Sequence, residues 1–120
     1  MITDKVKELL ATELVSLVSS SGYAKVGQGG NSTSPAATDL DVDIGAASSA
    51  YTVNAIKSDT NVVEYSLKIA GSNTNLDGKV IREAGFFDSS DNLLARFAFT
   101  GIGPVSTTSD LEIYFIFEVE

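Results

Sequence analysis

The stretch Ile81-Arg82-Glu83-Ala84-Gly85-Phe86-Phe87-Asp88-Ser89-Ser90-Asp91-Asn92-Leu93-Leu94-Ala95-Arg96-Phe97-Ala98-Phe99 decides the fold. Apolar runs over 79–87 and 93–99 flank five polar residues, Asp88 to Asn92, whose side chains suit a type I turn. The segment reads as a β-hairpin, with Asn92 expected in the left-handed conformation. Two registers are open: one sets Arg96 opposite Glu83, the other sets Phe97 there. Gly85, inside the first strand, marks a bulge or a close backbone approach. Gly101-Ile102-Gly103-Pro104 is expected to break the hairpin off.

More strands surround it. Val63, Tyr65, Leu67 and Ile69 alternate with Glu64, Ser66 and Lys68, the pattern of a strand with one buried face. Tyr51, Val53 and Ala55 share one side of a strand over 51–56. A short strand is expected over 23–26. The last strand, over 111–120, carries Leu111, Ile113, Phe115, Phe117 and Val119 on one face. Its other face holds Glu112, Tyr114, Ile116, Glu118 and Glu120, so Tyr114 and Ile116 make the middle of that face apolar too. Such a strand needs cover on both faces, from within the chain or from another subunit.

The stretch 3–19 reads as an amphipathic helix, with Val6, Leu9, Leu10, Leu14, Leu17 and Val18 on one face. Thr3 suits the N-cap and Asp4 the positive end of the helix dipole. The helix either covers a sheet or docks a neighbouring subunit. The expected architecture is one domain over 1–120: a mainly β, antiparallel β-sandwich or partly open barrel of seven or eight strands, with one N-terminal α-helix.

Composition restricts the chemistry. The chain of 120 residues has no histidine and no cysteine. Ser-His-Asp and Cys-His catalysis and thiolate metal sites are therefore excluded. A glycosidase-like carboxylate pair would have to come from Asp39, Asp41, Asp43, Glu64 or Glu83. The net charge of −8 and the scattered positions of its eight cations disfavour nucleic-acid binding. No stretch approaches the roughly 20 apolar residues of a membrane-spanning helix.

Asp39, Asp41 and Asp43 alternate with Leu40, Val42 and Ile44, which sets three carboxylates on one strand face, a weak candidate for a divalent cation. The calcium-loop pattern fails: Ile44 stands where its turn glycine belongs and Ala50 where its glutamate belongs. A solvated acidic face is the preferred reading. The loop over 27–35 is Gly-rich, but Ser32 occupies the last glycine position of a dinucleotide fingerprint, and no Gly-Lys-Ser/Thr occurs. No cofactor is expected.

The hairpin resembles a pattern in bacteriophage and prophage tail-fibre proteins. There an "I-R-E-hydrophobic-G-hydrophobic-F-D" strand turns through polar residues into "N-L-hydrophobic-A", as in Ile81 to Asp88 and Asn92 to Ala95 here. It is similar to the N-terminal domain of tail-collar fibres and to small virion proteins. The early helix and Tyr23-Ala24-Lys25-Val26-Gly27-Gln28-Gly29 resemble that family's helix, strand and "V-G-x-G" loop. Ala84 and Phe86 depart from the aliphatics commoner there. The resemblance implies a virion component made in the host cytoplasm, with no catalytic residues. Glu120 follows with no shaft, so the expectation is a stand-alone part: a tail, baseplate or capsid-decoration protein.

The reading is a non-enzymatic structural protein that self-associates and docks on other virion proteins. Tyr114, Ile116, Leu10 and Leu14, with the loop over 27–35, are the candidate interface residues. The alternative is a carbohydrate- or receptor-binding β-sandwich. Its usual sign, aromatics exposed on loops, is missing, because the aromatics fall in strand patterns and read as core.

Overall fold

A computed structural model describes residues 1–29, 39, 51–69, 79–103 and 110–120. Helix α1 (Asp4–Ser19) begins where expected: the Thr3 hydroxyl accepts from the Val6 N–H at 3.3 Å, and Asp4 sits in the first turn. Six strands follow among the described residues: β1 (Tyr23–Gly27), β2 (Tyr51–Asp59), β3 (Val62–Ile69), β4 (Ile81–Phe87), β5 (Leu93–Ile102) and β6 (Leu111–Glu118). They form two antiparallel sheets, ordered β1-β4-β5 and β2-β3-β6, that are not closed into a barrel. The strand expected over 39–44 lies outside the described residues apart from Asp39.

Alternation decides which faces meet. On β3, Val63, Tyr65, Leu67 and Ile69 are buried, and Tyr51 and Ala55 of β2 join them on the same face. Phenylalanines from the two sheets interleave between them. Phe86 of β4 lies 4.9 Å from Tyr65 and 5.8 Å from Phe115 between ring centroids. Phe97 of β5 stacks on Phe115 of β6 at 4.2 Å. These contacts are favourable beyond simple area burial.

The hairpin register differs from both expected ones. Glu83 stands opposite Ala98, and Arg96 stands opposite Gly85. Irregularities between Ile81 and Glu83 and between Phe86 and Phe87 shift the pairing, and no propensity marks them. In the turn, Asp91 takes the left-handed conformation, not Asn92. Asn92 instead donates its N–H and its side-chain amide to the Asp88 carboxylate, at 2.9 and 3.0 Å. β5 also runs through Gly101 to Ile102, so the break falls at Gly103, where φ is 122°.

The helix is turned from its expected orientation. Ala11 and Val18 are buried, with Leu14 and Val15 packed behind them, while Val6, Leu9 and Leu10 are exposed. The cause is close approach: the Tyr65 hydroxyl donates to the Leu14 carbonyl oxygen at 2.7 Å, and the small Ala11 faces the sheet. Where α1 hands over to β1, Gly22 is pinched. A Cβ there would lie 2.6 Å from the Phe87 carbonyl oxygen and 2.7 Å from the Val18 Cα, both backbone atoms. Gly22→Ala is therefore expected to destabilise the fold by about 1–3 kcal/mol, read as a lower urea midpoint. An unchanged midpoint would show that the junction yields.

Candidate functional site

The pairing β2-β3-β6 sets the outward side chains in rows across its outer face. Thr52, Lys68 and Glu112 form one row, Asn54, Ser66 and Tyr114 the next, and Ile56, Glu64 and Ile116 the third. Ile56, Tyr114 and Ile116 are 45%, 57% and 66% exposed, so three large apolar side chains share one solvent-facing surface. Glu64, Glu112 and Glu118 interrupt and rim it. A shallow hollow beside Tyr114 is lined by Thr52, Asn54, Ser66, Lys68 and Glu112. Tyr114 donates its hydroxyl to Glu112 at 3.2 Å, which lifts its pKa above the usual tyrosine range.

The other expected interface residues separate. Leu10 is exposed on the outward side of α1, whereas Leu14 packs against the core. In the loop over 27–35, Gly27 is buried and Gln28 and Gly29 are half-buried; 30–35 lie outside the described residues. The reading of every aromatic as core is corrected at Tyr114, which faces solvent because its place in the alternation of β6 puts it on the outer face of the sheet.

Of the three aspartates, Asp41 and Asp43 lie outside the described residues. Asp39 lies 3.4 Å from the Lys25 ammonium, a cation of the chain's own. Among the described residues no group of three or more acidic side chains is arranged to hold a metal. No described helix is long and apolar enough to cross a membrane. Glu64 lies on the outer face of the second sheet, whereas Glu83 is buried in the first beside Arg96, so the structure does not bring these two carboxylates together.

Glu83 does partner Arg96, as one expected register suggested, but diagonally and in a buried setting that the motif did not reveal. It is fully buried, and its carboxylate lies 3.7 Å from the Arg96 guanidinium, itself nearly buried. The two are diagonal neighbours, and Gly85, opposite Arg96, adds no side chain between them. On the same face Tyr23 stacks on Phe87 at 5.0 Å, and the Lys25 ammonium sits 5.2 Å from the Phe87 ring centre. The Tyr23 hydroxyl donates to Asp91 at 2.7 Å, tying β1 to the hairpin turn. The hairpin motif thus anchors the fold, and the exposed surface lies on the opposite sheet.

Family models, curated proteins and solved structures give no match to this chain.

Two phenols couple this framework to pH. Burial pushes the Tyr65 hydroxyl up to about 12; burial, the bond to Asp91 and the nearby carboxylates push Tyr23 up to about 12. The folded state keeps protons that the unfolded chain releases above a pH of about 10. This contribution is whole below pH 10 and is lost as pH rises toward 12. Urea midpoints measured between pH 9 and 12 should fall, with a shallower fall in Tyr65→Phe; equal slopes for both proteins would contradict this assignment.

Proposed function

We propose that this chain is a structural component of a tailed-phage-like particle, acting by self-association and by docking on a neighbouring tail, baseplate or capsid protein. One observation carries the assembly reading: Ile56, Tyr114 and Ile116 lie exposed together on the outer face of the second sheet. A cluster of large apolar side chains left to solvent is the ordinary mark of a protein contact. The carboxylates of Glu64, Glu112 and Glu118 favour a neighbour with an apolar centre and Lys or Arg around it. The resemblance of the hairpin and the early segments to tail-collar fibres supports the virion setting. Sequence supports a role without catalysis, since histidine and cysteine are absent.

A second reading draws on the same face. The exposed Tyr114 ring beside a hollow lined by Asn54, Lys68 and Glu112 offers an apolar platform with hydrogen-bonding groups, as a carbohydrate- or receptor-binding module requires. Under that reading, Tyr114→Ala abolishes glycan binding and leaves protein contacts intact.

Docking is tested by co-purifying the chain with the products of the genes beside its own. Ile116→Asp is expected to keep the wild-type denaturation midpoint and to weaken capture about tenfold or more. A strict monomer by light scattering that binds none of those proteins would overturn the assembly reading. An unfolded Ile116→Asp would make Ile116 part of the core.

A further inference from the structure

The assembly reading leaves open how one copy meets another, and a different surface answers it. We infer that α1 pairs antiparallel with α1 of a second copy of this chain through the helix side turned away from the core. At 100° per residue, Val6, Glu13 and Leu17 project within about 40° of one another, with Leu9 and Leu10 on either side. Ala11, Val15 and Val18 point the other way, into the protein, with the partly buried Leu14 at the border between the two sides. Leu9 and Leu10 are 56% and 44% exposed, and Val6 is exposed with them. A helix apolar on both sides has a second face to bury.

Charge selects the occupant. Glu13 stands in the middle of the stripe, so whatever covers it must bring a cation there. Antiparallel pairing about a two-fold axis between Leu9 and Leu10 sets Leu9 beside the partner's Leu10 and Val6 beside the partner's Glu13. It also brings Lys5 within one residue, about 1.5 Å along the axis, of the partner's Glu13. Lys5 is 70% exposed, and its contact with Glu8 is a loose surface pair at 3.8 Å, so its ammonium is able to turn to the partner. Parallel pairing fails this test, since it sets Glu13 against Glu13, Lys5 against Lys5, and the helix dipoles side by side. The sheet face does not suit a second copy equally well. Antiparallel pairing of two β6 strands about Phe115 would set Glu112 against the partner's Glu118.

The inference rests on the assembly reading and is tested by sedimentation equilibrium with a charge exchange. Lys5→Glu and Glu13→Lys are each expected to raise the dimer dissociation constant about fivefold or more, because a two-fold axis makes each contact twice. The double variant should return to within about twofold of wild type. Leu9→Cys, the only cysteine in its chain, should cross-link on oxidation. Glu13→Cys should not, since its copies stand about 10 Å apart along the axis. A monomeric wild type, a double variant no tighter than the singles, or efficient cross-linking of Glu13→Cys would overturn the helix pairing. If the pairing fails while Ile116→Asp still weakens docking, the assembly reading stands; if both fail, it falls too.

Discussion

The Tyr65 hydroxyl donates to the Leu14 carbonyl oxygen at 2.7 Å while its ring lies 4.9 Å from Phe86 and 5.1 Å from Phe117. That one side chain touches the helix, the opposite sheet and its own sheet. Its hydroxyl needs a buried acceptor, and the helix backbone supplies one only if α1 comes close. Close approach puts Ala11 and Val18 inward and leaves Leu9 and Leu10 in solvent. The outward stripe of α1 therefore follows from the way the core is closed.

The first sheet is held on its far face by polar contacts, the second is left open. Glu83 and Arg96, Tyr23 on Phe87, and the Asp88 turn fasten β1, β4 and β5 together. A buried ion pair of this kind contributes little net stability but penalises any register that separates it. On the second sheet the outward rows mix Ile56, Tyr114 and Ile116 with glutamates. One sheet thus carries the anchoring residues and the other the exposed apolar surface.

Much of this was legible in the sequence. The alternation over 63–69 marked the inward face of β3 because polar and apolar residues never share a parity there. Thr3 marked the helix start because a hydroxyl in that place satisfies an otherwise free N–H. The hairpin was legible as a hairpin, but its register was not, since pairing irregularities at Ile81–Glu83 and Phe86–Phe87 leave no compositional trace. The helix orientation was hidden because apolar residues occur around most of its circumference, and the choice between Leu10 and Ala11 depends on Tyr65, far along the chain. Tyr114 and Ile116 were marked by the two-sided apolar character of β6, which named them without saying whether the chain covers them itself. The partnership of Glu83 with Arg96 was legible, since one expected register faced the two, but their diagonal placement and burial were not, because they depend on the pairing irregularities.

Among the described residues β6 lies at the edge of its sheet, and Ile113-Tyr114-Phe115-Ile116-Phe117, with Tyr114 and Ile116 open to solvent, is there a hazard for a free monomer. The proposed docking on neighbouring proteins would cover that surface. Side-chain footprinting with hydroxyl radicals, on the free chain and on the chain bound to the products of its neighbouring genes, tests this most directly. The account predicts that labelling of Tyr114 and Ile116 falls severalfold on binding while Tyr65 stays unlabelled in both states. Equal labelling of Tyr114 and Ile116 in both states would contradict it.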